Sequence, residues 1–246
     1  MVLPSAAILA PAALTVASAY IIYGMTGFGA SVVAVPVLTL FLPLRAVVPT
    51  MLVFDLLSGL LVGLRNRHIL ARDEVIRIVP FMLIGMVAGV TLLVGLPQRP
   101  LLLTLGSFVL AYVGWSLLLP RRKQTISSRW AAPLALAGGV FGALFGTGGP
   151  LYVVYLTRRI QDPRILRATA STLIFASGVI RLGLFSAVGL YHQPVVLPLA
   201  AFLLPFAMGG LFVGSRLHHR LPANRVIQAV WAVLVLSGLN LLWRNL

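Results

Sequence analysis

Long apolar runs, separated by short polar clusters, recur from one end of the chain to the other. A helix needs about 20 residues to cross the hydrocarbon core of a bilayer. On that measure the pattern predicts ten helical segments, at 4–23, 30–43, 46–64, 78–96, 101–119, 131–145, 149–157, 166–190, 196–215 and 226–243. The seventh is too short to cross alone and the second is marginal. Each follows a glycine cluster, so each is expected to form a hairpin, full or re-entrant, with the helix before it. Either form returns the chain to the side it left. The expected fold class is therefore all-α, a polytopic membrane protein.

Composition narrows the functional classes. The chain is 60% hydrophobic and 9% charged, with a mean hydropathy of +1.03, whereas a soluble domain is about a quarter charged. No polar stretch exceeds about a dozen residues, which leaves no room for a separate soluble domain. The absence of cysteine removes disulfides, iron–sulfur clusters and thiolate metal sites, and no cofactor is expected. Ala17-Ser18-Ala19 looks like a signal-peptidase site. No Lys or Arg precedes it, so the segment is expected to remain a helix.

The net charge of +15 reads as topology and not as a nucleic-acid footprint. Arg65, Arg67, Arg72 and Arg77 share one loop, and Arg121, Arg122, Lys123 and Arg129 share the next charged one. Arg158, Arg159, Arg164 and Arg167 fill a third, and Arg216, Arg220 and Arg225 a fourth. Alternating segments place all four loops on one side, which the positive-inside rule assigns to the cytoplasm. Only Arg45, Arg99 and Arg244 fall on the other side, and both termini are expected there, facing outward.

Two halves also align. Arg45-Ala46 and Thr50 match Arg167-Ala168 and Thr172, and at a slightly larger offset Gly85-x-x-x-Gly89 and Pro97 match Gly210-x-x-x-Gly214 and Pro222. Five segments per half is an odd number, so the halves would insert with opposite orientation, as two inverted five-segment repeats. The expected division is a first repeat at 1–120, a cytoplasmic linker at 121–129 and a second repeat at 130–246, all in one integrated membrane domain.

The chemistry is expected at the glycine clusters. Gly24-Met-Thr26-Gly27-Phe-Gly29-Ala30-Ser31 interrupts the first half, and Gly142-Ala-Leu-Phe-Gly146-Thr147-Gly148-Gly149-Pro150 the second. Backbone released from a helix is tolerated at membrane depth only where protein or a polar cavity satisfies it. A matched pair of such breaks is the sequence pointer to a transporter's central site. The helix starting after each break presents unpaired N–H groups and the positive end of its dipole, an arrangement suited to an anion. Thr26, Ser31 and Thr147 would add hydroxyls, and Thr50 and Thr172 would line the path. Against this stands a packing role, in which the glycines only let helices approach closely.

Arg181 lies near the middle of segment 166–190, and Asp55 near the middle of segment 46–64. A central arginine costs ~2.5–3.5 kcal/mol on insertion scales and calls for a partner or a cavity. Either Arg181 recruits an anion while Asp55 gates or couples protons, or the two form a buried structural pair. His68, His192, His218 and His219 all fall in loops, with no metal-ligating spacing. Trp115, Trp130, Trp231 and Trp243 sit toward segment ends, as an aromatic belt would have them.

Together the twin glycine breaks, Pro36 after the first, the Arg-Ala-x-x-x-Thr stretch after each hairpin and the duplicated layout make the chain resemble the TauE/SafE family, the sulfite exporters, over nearly its whole length. Tyr155 stands where a proline would match Pro36. The resemblance implies a bacterial membrane transporter of small sulfur-containing anions such as sulfite and organosulfonates, moved by alternating access around a mid-membrane site. The expected partners are that anion and membrane lipid, not nucleic acid, with a homodimer left open. An anion channel is the alternative within the same class. An intramembrane enzyme would need a constellation that one intramembrane carboxylate and no intramembrane histidine do not supply, so no enzymatic activity is expected.

Overall fold

The computed structural model describes residues 4–26, 29–63, 70–118, 126–217 and 223–245. These residues form ten α-helices and two single 3-10 turns, at Ser128–Trp130 and Leu190–His192, with no strand among the described residues. In chain order the helices are α1 (Ala6–Thr26), α2 (Ala30–Leu38), α3 (Leu44–Gly63), α4 (Arg72–Gly95) and α5 (Gln98–Leu118). They continue as α6 (Ala131–Phe145), α7 (Gly149–Thr157), α8 (Pro163–Ala187), α9 (Val196–Leu217) and α10 (Ala223–Asn245). Five of them, α1, α4, α5, α8 and α9, are long and apolar enough over their described residues to cross a membrane. Large apolar side chains such as Ile84, Leu197, Phe212 and Leu236 are exposed, as a lipid-facing surface requires.

All ten expected segments are helical, and local chemistry explains where their limits differ. The apolar run 30–43 divides, because α2 stops at Leu38 and Thr39 donates its hydroxyl to the Val35 carbonyl at 2.9 Å. Pro43 then opens the next helix, its carbonyl accepting from Ala46 N and Val47 N; the residue before a proline is driven out of helical geometry. Helix α4 starts at Arg72 instead of 78, with Asp73 and Glu74 in its first turn, where acidic residues suit the dipole. Helix α8 starts at Pro163, because Asp162 caps it by accepting from Arg164 N at 2.7 Å.

The chain forms two compact units, each drawn from both halves of the sequence. One comprises residues 1–54, 96–120 and 190–246, and the other residues 55–95 and 121–189, so α3 is divided between them. In the first unit α1 lies along α9. Gly210 meets the Ala17 carbonyl and Tyr20, Gly214 meets Ile21, and Gly24 meets Leu211 and Ser215. In the second unit α4 lies along α6, with Gly85 against Leu136 and Gly139, and Gly89 against Val140 and Ala143. Both pairs are parallel, since the contacting residues advance together. Small residues bring such helices to backbone contact where lipid offers no hydrophobic drive. Helices α5 and α10 in the first unit run antiparallel: Gly106 faces Gly238 and Leu242, and Arg99 Nε donates to Asn245 O. These relative directions are the ones that the alternation of segments requires.

The arginines divide by role. In the first unit Arg45 donates to Leu96 O, Arg99 to Asn245 O and Arg244 to Leu40 O, each closing a carbonyl at or just past a helix C-terminus, where a cation is favoured. In the second unit the described ends of three basic loops converge on one carboxylate. Glu74 is buried; its Oε2 accepts from Tyr155 Oη at 2.6 Å and its Oε1 from Arg159 Nε at 3.0 Å and Arg77 Nη1 at 3.2 Å. Arg159 also donates to Ile126 O. The hydrogen bond and charge of Glu74 hold the Arg159 guanidinium above its ordinary value. Arg65, Arg67, Arg121, Arg122, Lys123, His68, His218, His219 and Arg220 lie outside the described residues.

Removing the phenol should cost more than removing the nearest arginine. The Tyr155 bond is a buried one to a charged acceptor, worth about 1.5–3 kcal/mol. Arg77, whose side chain is 46% exposed, contributes under about 1 kcal/mol. Thermal unfolding of the detergent-purified protein is therefore expected to shift down clearly for Tyr155→Phe and barely for Arg77→Gln. Equal shifts would contradict this account of the network.

Candidate functional site

The second glycine break can be built residue by residue, because everything it touches lies in one unit. Helix α6 ends at Gly146, whose φ of 72° and ψ of 9° are left-handed, a conformation glycine adopts without penalty. Its N–H closes on Gly142 O at 2.9 Å, the usual αL helix ending. Thr147 is buried, and its hydroxyl donates to Phe141 O at 3.4 Å. Gly148 caps α7 and lies so close to α6 that an added Cβ would meet Gly138 O and come within 3.0 Å of Gly142 Cα. Gly149 opens α7, and Pro150 supplies the fixed φ suited to a first turn. The break and the close approach are thus one feature: the glycines that end α6 also admit the start of α7.

Onto this break α8 directs Arg181. The side chain is 5% exposed, and its Nη1 donates to Gly142 O at 2.9 Å, the same oxygen that closes α6. From α7, Tyr152 turns inward at 1% exposure and lays its ring on Gly138. Its hydroxyl lies 3.8 Å from the position a Cβ on Gly142 would take, and the Arg181 charge reaches it. The Tyr152 Oη is buried with no hydrogen-bond partner among the described residues. A guanidinium and a phenol, both donors, therefore converge on Gly142 in a water-poor setting. Two converging buried donors suit an acceptor with several oxygens, as a carboxylate, sulfite or sulfonate has.

The other residues singled out from the sequence fall as follows. Gly27 lies outside the described residues, as does the side chain of Thr26 at the end of α1. Gly29 is the exposed N-cap of α2, and Ala30 and Ser31 are buried in that helix's first turn. Thr50 is buried in α3, its hydroxyl without a partner among the described residues. Thr172, its counterpart in the sequence alignment of halves, is half-buried and donates back to Ala168 O at 2.9 Å. Asp55 is half-buried on α3, one turn before Gly59, which faces Phe175 of α8; it shares that α8-facing side. Among the described residues no three His, Cys, Asp or Glu side chains come together as a metal site.

Tyr152 and Glu74 are the residues that sequence reasoning missed. A signal existed for each. Gly138 and Gly142, one turn apart, give α6 a bare face wide enough for an aromatic ring. Only four acidic residues occur in the whole chain, so each should have been given a place.

Comparison with known proteins identifies the family of the chain. The family model described as sulfite exporter TauE/SafE matches residues 12–241. The chain is 28% identical over 180 residues to the probable inner membrane transporter protein TsaS of Comamonas testosteroni, covering 68% of this chain and 72% of that protein. No solved structure matches. With nearly its whole length matched by the family model, the chain belongs to the sulfite exporter TauE/SafE family of membrane transporters.

Proposed function

We propose that this protein exports a small sulfur oxyanion or organosulfonate across a bacterial inner membrane. Its basic loops would lie on the cytoplasmic side and both termini on the other. Recognition rests on Arg181 and Tyr152 at the second break, and the observation that carries it is the convergence of these two buried donors on Gly142. Arg181 supplies charge and a planar fork of N–H groups that matches an oxyanion's edge. The Tyr152 hydroxyl supplies a further directed donor, and the nearby start of α7 adds positive dipole. The membrane potential, negative inside, drives an anion outward by ~2.3 kcal/mol per charge per 100 mV. Export therefore needs no second coupled ion, and Asp55 is left to gate the path. Transport is proposed to proceed by alternating access.

Proteoliposome efflux of sulfite, thiosulfate, taurine and acetate tests the reading. Wild type is expected to move sulfur anions in preference to acetate, with saturation and counterflow marking a carrier in place of a channel. Tyr152→Phe keeps the ring on Gly138 and loses one hydrogen bond to a charged ligand, so apparent affinity should fall about 10- to 100-fold. Unchanged affinity in this variant would remove Tyr152 from the site, and no flux of any sulfur anion beside a working control would sink the transport reading itself.

A further inference from the structure

A second basic feature of the same unit faces outward from the network around Glu74. Arg77, Phe81, Ser128, Arg129, Ala131 and Ala132 line a recess of about 310 Å³ where the first turns of α4 meet the entry to α6. Arg77 gives one nitrogen to Glu74 and keeps an exposed remainder. The guanidinium of Arg129 has no ion-pair partner among the described residues. Below the two cations the surface turns apolar. Phe81 and Ile84 follow Arg77 down one side of α4, Leu136 follows Ala132 down α6, and all three large side chains are exposed. Trp130, 56% exposed beside Arg129, is the residue type that marks a membrane–water boundary. Charge above and an apolar track below fit an amphiphile with an anionic head.

We infer that this recess is a binding site for the headgroup phosphate of an anionic phospholipid, held by Arg77 and Arg129, with its acyl chains along Phe81, Ile84 and Leu136. Attraction of a basic surface to anionic lipid is general. What is particular here is a formed recess, two cations across one concavity and an apolar track leading from it. A soluble phosphate would use the cations but gain nothing from the track, so the lipid is the occupant that fits both. The inference goes beyond the transport reading and requires only that this end of the unit meet the membrane boundary.

Native mass spectrometry of the full-length protein in detergent, titrated with phosphatidylglycerol or phosphatidylcholine, tests it. Wild type is expected to retain phosphatidylglycerol selectively. Arg129→Gln should weaken that retention about fivefold, the factor that one cation near an anionic headgroup supplies. Arg129→Lys should keep most of it. Arg72→Gln, which removes an exposed cation of the same basic end outside the recess, should leave it unchanged. Inorganic phosphate at millimolar concentration should not displace the lipid. Equal retention of phosphatidylcholine, equal loss in the Arg72 and Arg129 variants, or displacement by inorganic phosphate would each overturn the inference. Monodisperse size-exclusion profiles of the variants establish that they are folded before they are compared.

Discussion

Replacing Arg181 by glutamine is expected to cut sulfur-anion flux about 100-fold or more while leaving most of the fold's thermal stability in place. The magnitude follows from removing one partner of a desolvated ionic contact, which costs about 2–5 kcal/mol in binding. The side chain supports the break through a hydrogen bond to Gly142 O, and that oxygen also accepts from Gly146 N. The αL ending of α6 thus survives the substitution. Arg181→Lys keeps the charge and loses the planar fork, so it should recover part of the flux and lower selectivity among oxyanions. The competing account is a structural pair of Arg181 and Asp55, and it predicts a different result. There Arg181→Gln would destabilise the protein, because the half-buried Asp55 carboxylate would lose its partner. A further Asp55→Asn change would then restore both stability and flux. Thermal unfolding and efflux measured on the same three proteins separate the accounts. Rescue by the double variant would sink the substrate role.

What the sequence disclosed and what it withheld have physical causes. Lipid leaves an unpaired backbone almost no option but the helix, so apolar run length alone placed α6 and α7 to the residue. Ends were misplaced where capping decides them: Asp162 and Pro163 start α8 three residues before the expected 166, and α2 stops at Leu38, five residues short of Pro43. The glycine clusters were ambiguous because their two readings are not exclusive. Gly146 ends α6 in a left-handed conformation, and Gly148, pressed against Gly138 and Gly142, admits the start of α7. Tyr152 and Glu74 stayed hidden for a different reason. The Tyr155–Glu74 bond joins residues 81 apart in sequence, and no periodicity reports such a contact.

Sequence correspondence between the halves also misses differences of environment. Thr50 and Thr172 align, yet one hydroxyl is bonded to its own helix and the other is not. Pro36 and Tyr155 each stand seventh in a nine-residue helix, and only the tyrosine reaches a carboxylate. Positions can align in sequence while their chemistry differs.

Two adjacent glycines of α9 are expected to give opposite results on the same substitution. At Gly209 an added Cβ meets nothing within 4 Å, whereas at Gly210 it overlaps the Ala17 carbonyl oxygen and lies 3.1 Å from Tyr20 Cβ. Gly209→Ala gains helix propensity, worth up to about 1 kcal/mol, and should leave thermal unfolding unchanged or raise it. Gly210→Ala gains the same propensity but presses on backbone that cannot rotate away, at an overpacking cost of about 1–3 kcal/mol. The upper part of that range applies, since Gly214 and Gly24 fix the same pair of helices at backbone contact one turn further on. The alanine at 210 should therefore lower the unfolding temperature and the yield of monodisperse protein. Composition, charge, hydropathy and helix are identical in the two variants, so any difference between them reports the α1–α9 approach alone. Indistinguishable unfolding would mean that this glycine spacing does not set the helix contact. A fall at 210 without one at 209 would establish it as the contact that holds the first unit together.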